Sequence, residues 1–162
     1  MDTMSEYDPD EDHELAMLET GFWGRTGSGC LVYARSTGRF LIGLRSEGVL
    51  EPLTWGTWGG AIPSGVSAEE SALAELYEET EFDGDAQMVH VYQFRDERSG
   101  FVYDNFIAII EDEFSPVLNW ENCDFGWFEQ GAFPQPMHAG LEKMLQNVPD
   151  LRSLVNEVNL KP

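Results

Sequence analysis

Lysine is nearly absent from this chain: Lys143 and Lys161 are the only two in 162 residues. With the arginines they make nine cations against 30 Asp and Glu residues, a formal net charge of −21. Such a balance repels nucleic-acid backbones and anionic membrane surfaces. It repels free nucleotide anions too, so a nucleotide site here needs metal ions and locally placed arginines. Cysteine is also sparse. Cys30 and Cys123 lie far apart in apolar stretches, too few for a disulfide framework or a zinc cluster, and both are expected to be core thiols. No segment approaches 18 consecutive apolar residues, and the first residues hold neither a basic cluster nor an apolar run. A membrane span and a secretory peptide are therefore not expected, and a cytoplasmic protein is. Internal repeats, low-complexity tracts and interdomain linkers are missing as well.

What the chain has in quantity is apolar and aromatic side chains: 42% hydrophobic residues, with five Trp, five Tyr and ten Phe. That content supports a packed domain rather than a disordered acidic chain. The expected organisation is an acidic segment over residues 1–20, centred on Asp8-Pro9-Asp10-Glu11-Asp12, followed by a single domain over residues 21–160. Leu15–Leu18 is a stretch that can dock on that domain. Cys30–Ala34 and Phe40–Leu44 read as strands joined by the turn residues Ser36-Thr37-Gly38. Trp55–Trp58 reads as a short aromatic strand, Gln87–Phe94 and Val102–Ile110 as two more, and Trp127-Phe128 as part of a last one. Leu141, Met144, Leu145 and Val148 recur at helical spacing, and Leu151–Leu160 is a further short helix.

The most informative stretch runs from Gly59 to Phe82. Ser67 and Glu70 form a capping-box pair that starts a helix. Ala72, Leu73, Leu76 and Thr80 then share one side of it, a core face. Glu75, Glu78 and Glu79 lie on a neighbouring stripe at i, i+3 and i+4. Like charges so spaced repel by about 0.2–0.5 kcal/mol per pair on an exposed helix, and no Lys or Arg occurs between Ala68 and Phe82 to offset them. Clustered carboxylate oxygens suit Mg²⁺ or Mn²⁺, which would remove the conflict. The alternative is a solvated acidic helix in an acidic protein. Gly59 and Gly60 just upstream allow backbone to approach a ligand closely.

Gly60–Phe82 resembles the signature of the Nudix hydrolases: Gly, five residues, Glu, seven residues, Arg-Glu, an aliphatic, any residue, Glu-Glu, any residue, Gly, an aliphatic. Gly60, Glu75, Leu76, Glu78 and Glu79 fall in register, and Phe82 stands for the last aliphatic. Val66 replaces the first Glu, Ala74 the Arg, and Glu81 the late Gly. The preceding Trp55–Gly60 also resembles family entries into the motif. The resemblance implies an α/β fold, a Nudix-like α/β/α sandwich with a mixed β-sheet. It further implies Mg²⁺, with Mn²⁺ as substitute, held by Glu75, Glu78, Glu79 and the Gly59 carbonyl. The reaction implied is hydrolysis of a phosphoanhydride in a nucleoside di- or triphosphate or a related nucleoside-diphosphate derivative. Glu75, Glu78, Glu79 and Glu121 are the candidate catalytic acids, with Glu113 a lesser alternative to Glu121. Candidates for contacting substrate are Arg45 at a strand exit, Arg95, and the aromatics Tyr103 and Trp58. Each aromatic has an alternative reading as an ordinary core residue. Arg98, Trp55 and Phe94 are further candidates. The implied partner is a small nucleotide, and a homodimer is an assembly common in the family. Ala74 cannot clamp the glutamates as the motif arginine does, so a nucleotide-binding or regulatory module with little catalysis is the alternative function.

Overall fold

The computed structural model describes residues 26–159. The acidic segment 1–20, with its Leu15–Leu18 stretch, lies outside them. Seven strands form one sheet: β1 (Thr26–Ala34), β2 (Arg39–Arg45), β3 (Trp55–Gly56), β4 (Trp58–Ala61), β5 (Gln87–Asp96), β6 (Phe101–Ile110) and β7 (Asn122–Phe128). The helices are α1 (Ala68–Thr80), α2 (Ala139–Asn147) and α3 (Leu151–Asn159). None of them is long and apolar enough to cross a membrane.

β1 is the organising strand. It runs parallel to β6 through nine paired positions and antiparallel to β2 and β4, which makes the sheet mixed. The main path is β3-β2-β1-β6-β5, with β7 antiparallel to β2. Strands in the middle of a sheet covered on both faces read as continuous apolar runs, and Cys30–Ala34 and Phe106–Ile110 do so. Alternate side chains then go to opposite faces. Cys30, Val32, Ala34, Leu41, Phe106 and Ala108 pack with Ala72 and Leu76 of α1. Leu31, Tyr33, Phe40, Ile42, Ile107 and Ile109 pack on the other face with Leu141, Met144, Leu151 and Val155 of α2 and α3. The layers are those of an α/β/α sandwich with a mixed sheet.

The predicted elements are present, with two differences of detail. The aromatic stretch Trp55–Trp58 is two short strands rather than one, because β3 pairs with β2 while β4 crosses to β1. Trp58 is fully buried, its ring packed in the α1-side core and its Nε1–H donating to the Leu41 carbonyl at 3.1 Å. Cys123 is exposed rather than a core thiol, whereas Cys30 is buried and its thiol pushed up by burial and then by Glu79.

Candidate functional site

The placement of α1 begins at its cap. Ser67 accepts from the Glu70 amide at 3.1 Å, and Glu70 accepts from the Ser67 amide at 3.2 Å, closing the capping box. Two hydroxyls then strap the helix to the sheet: Ser28 Oγ donates to the Ala68 carbonyl at 2.8 Å, and Ser71 Oγ donates to the Ala61 carbonyl at 3.4 Å. With the helix so fixed, Glu75 lies against Gly60. A Cβ on residue 60 would sit 2.9 Å from the Glu75 carboxyl carbon, so the glycine is what lets the carboxylate rest on the β4 backbone.

Carboxylate oxygens of Glu75, Glu79 and Glu121 come within 4.8 Å of one another. Glu121 arrives from the far side, on the loop before β7. Its amide donates to Asn119 Oδ1 at 3.0 Å, Asn119 Nδ2 donates back to its carboxylate at 3.3 Å, and its carbonyl accepts from the Ser46 amide at 2.9 Å. The loop itself is pinned by Val117 donating to the Thr80 carbonyl at 3.0 Å and by Trp127 Nε1 donating to the Phe114 carbonyl at 3.1 Å.

Electrostatics in the cluster follow from burial and like charge. Burial is the main reason that the Glu75 carboxyl is raised to about 7, and Glu78 and Glu121 push the same way against a hydrogen bond from Glu79. Glu79, only 3% exposed, is raised well above the carboxylate range by burial, then by Glu121 and Glu75, with Arg45 opposing. The donor set is all oxygen, as Mg²⁺ or Mn²⁺ prefers. Glu75, Glu79 and Glu121 would hold such an ion between them, and its charge would relieve their mutual repulsion. The residues fit a divalent cation.

Next to the cluster is a cavity of about 430 Å³, lined on the sheet side by Gly59, Gly60, Phe94, Phe101, Tyr103 and Asn105. Arg45 and Glu51 line it, as do His138 and Lys143 from the α2 end. Phe94, Phe101 and Tyr103 form an aromatic wall, with ring centroids 6.4 Å and 6.1 Å apart in succession. Burial raises the Tyr103 hydroxyl, with Glu79 adding to it.

Of the residues singled out in the sequence, Arg45, Gly59, Phe94 and Tyr103 line this cavity, and Glu75, Glu79 and Glu121 form the carboxylate cluster. Glu78 is exposed beside the cluster and not among its three members. Trp58 is core and has no exposed face on which to stack a base. Arg95 is exposed on β5, its Nε donating to Gln93 Oε1 at 2.8 Å, and is not a cavity residue. Glu113 is committed elsewhere: Arg39 grips it through two bonds of 2.7 and 3.0 Å, and Thr37 donates to it at 2.6 Å. Trp55 packs edge-on against Phe128 at 5.5 Å.

Sequence reasoning missed Lys143, Phe101, Asn105 and the pairing of Glu51 with His138. Glu51, with left-handed backbone at φ 47, accepts from His138 Nε2 at 3.1 Å and from the Ala139 amide at 3.1 Å. His138 Nδ1 accepts from the Gly140 amide at 2.9 Å as the α2 cap. The partners are 87 residues apart, so no local pattern announces them. The His138 hydrogen bond is the main cause holding the Glu51 carboxyl down at about 2. A carboxyl depressed on folding stabilises above its unfolded value, near 4.5, and loses that contribution as pH falls through about 2. Glu51→Gln is therefore expected to lower Tm at neutral pH, through a loss of stability of under about 1 kcal/mol since the pair is partly solvated. The Tm difference from wild type should shrink as pH falls from 4.5 toward 2. A difference constant over pH 7 to 3 in thermal melts would contradict it.

No known family profile matches the sequence, and no curated protein does. Solved structures do match in fold. A Nudix hydrolase from M. smegmatis, RenU, superposes with TM-score 0.67 at 20% identity, over 87% of this chain and 92% of that one. A C. elegans Ap4A hydrolase gives 0.63 at 17% identity over 78% and 98%, and a MutT Nudix hydrolase from Burkholderia pseudomallei gives 0.59 at 22% over 75% and 95%. The chain has the Nudix fold.

Proposed function

We propose that this protein is a Nudix-type hydrolase that cleaves a phosphoanhydride in a nucleoside di- or triphosphate, or in a related nucleoside-diphosphate derivative, with the help of a divalent metal. One observation carries the reading. Three carboxylates from two separate elements converge at the Gly60 end of an aromatic-walled cavity. Phe94, Phe101 and Tyr103 offer apolar surface for a base. Arg45 and Lys143 bring positive charge to a protein otherwise short of it, and suit the phosphates of the substrate. Glu75, Glu79 and Glu121 would hold Mg²⁺ or Mn²⁺, with Glu78 at the exposed margin and the Gly59 carbonyl as a further donor. When bound, the metal supplies charge neutralisation at the anhydride oxygens and acidifies water. Glu75, Glu78 or Glu121 would take the proton that the attacking water loses, Glu75 and Glu121 being half-buried and Glu78 exposed. The acidic exterior disfavours a long polyanion such as RNA and favours a small nucleotide.

Release of phosphate or pyrophosphate across a panel of nucleoside triphosphates, diphosphate sugars and Ap4A tests this. Turnover is expected with Mg²⁺ or Mn²⁺ and should vanish in EDTA. A binding module is favoured instead by the specific loss of the motif carboxylate and guanidinium at Val66 and Ala74. Nucleotide binding with no turnover in either metal would select that second reading.

A further inference from the structure

The motif arginine that should steady the glutamates is missing. Ala74 stands in its place, exposed on α1, and α1 has no basic residue in its last turn. A cluster with three carboxylates, one of them almost fully buried, still needs something to orient it.

Arg45 stands near the same cluster and comes from a different element of the fold, close enough for its charge to act on Glu79. It is the last residue of β2, half-buried, and lines the cavity beside Gly59 and Gly60. Its strand partner across the irregular end of the β2–β7 ladder is Asn122, the neighbour of Glu121. The next amide, of Ser46, holds the Glu121 carbonyl at 2.9 Å. Arg45 Nε donates to the Leu50 carbonyl at 2.8 Å, which fixes the plane of the guanidinium. Its positive charge acts on Glu79 and on Glu51, drawing both toward the ionised form. Of the other described arginines, Arg35 is engaged near Glu111 and Gln87, Arg39 on Glu113 and Arg95 on Gln93.

We propose that Arg45, delivered by β2, is a positioning residue that takes over the role of the absent helix arginine, orienting Glu79 and Glu121 for the divalent cation. The inference rests on the metal-site reading above and differs from a simple phosphate contact. A guanidinium is planar and forked, so it can fix carboxylate orientation in a way a point charge does not.

The test is Mn²⁺ binding without nucleotide, by calorimetry or electron paramagnetic resonance, in wild type, Arg45→Gln and the double variant Arg45→Gln/Ala74→Arg. Arg45→Gln is expected to lose about 10–100-fold in Mn²⁺ affinity, as removal of groups that orient metal ligands commonly does. The double variant should recover part of it. The direction discriminates, because deleting a positive charge near a cation site would by Coulomb's law raise affinity. Unchanged or tighter Mn²⁺ binding in Arg45→Gln, with a raised KM for nucleotide, would overturn the proposal and leave Arg45 as a substrate contact. Failure of wild type itself to bind Mn²⁺ would overturn the metal-site reading instead. Arg45→Met retains the packing of the side-chain stem and takes the same measurement if Arg45→Gln misfolds.

Discussion

Glu79→Gln is expected to abolish turnover and, in protein stripped of metal, to raise the melting temperature. The two effects have one cause. Glu79 is 3% exposed and sits against Glu75 and Glu121, an arrangement that makes a strong cation ligand and a poor component of a cation-free core. Removing a ligand and its charge is expected to lower the rate by at least about 10²–10⁴, the range seen when a group acting directly on the reaction is lost. The neutral amide also escapes the desolvation that opposes ionisation of the buried carboxylate, a relief on the order of 1–3 kcal/mol, or roughly 2–10 °C for a domain of this size. The sign with pH is fixed by the direction of the shifts. Glu75 is raised to about 7 and Glu79 is raised too, so both stabilise the fold while protonated, below their unfolded value of 4.5. That contribution is lost as pH rises through the folded values. Wild type without metal should therefore lose stability between pH 4.5 and 7 and beyond, and the advantage of Glu79→Gln should be larger at pH 8 than at pH 5. Saturating Mg²⁺ should stabilise wild type and leave the variant nearly unmoved. Melts in EDTA at both pH values decide the matter: a variant that melts below wild type at pH 8, or one that still turns over nucleotide, is incompatible with this site.

That trade of stability for function explains which parts of the molecule were legible in the sequence. Elements announce themselves where local chemistry and packing agree. The Ser67–Glu70 cap, the apolar runs of β1 and β6, and the helical spacing of Leu141 and Met144 all read correctly because burial rewards the pattern that propensity already favours. Glu79 does not read as buried by any such rule. From spacing it belongs to an exposed acidic stripe with Glu75 and Glu78, and the structure divides that stripe. Glu79 turns inward with Ala72, Leu76 and Thr80, Glu75 is intermediate, and Glu78 stays in solvent. The third cluster member, Glu121, comes from a loop whose path is set by Phe82, Phe114 and Trp127 packing in series, tilted and then edge-on, at 5.0 and 5.8 Å. A contact made by three aromatic rings from three segments has no local signature. The same holds for Trp58. An aromatic beside a glycine turn is as good a base-stacking candidate as a core one, until its indole N–H is seen bonded to Leu41.

Gly59→Ala is expected to damage the fold and the site together, and by more than a strand glycine usually would. Gly59 pairs with Gly29 between β4 and β1. An added Cβ there would overlap the Ser28 carbonyl oxygen and the Tyr103 hydroxyl, and would lie 2.6 Å from the Gly29 Cα. Two of those three obstacles are backbone, so no rotamer change relieves them. The strands must part. Overpacking of a closed interior costs about 1–3 kcal/mol and sometimes more. Separating a ladder of four residue pairs puts this case at the upper end, for a Tm drop of roughly 5–12 °C. Because β4 continues directly into Gly60, on which Glu75 rests, the same displacement should weaken Mn²⁺ binding in whatever fraction stays folded. Gly48→Ala is the control: nothing lies within 4 Å of a Cβ there, and the change should stay within about ±0.5 kcal/mol. Equal melting of the two variants would mean that β4 can lift from β1 without cost, and the close approach of Gly59 to Ser28 would then have no part in holding the carboxylates over the cavity.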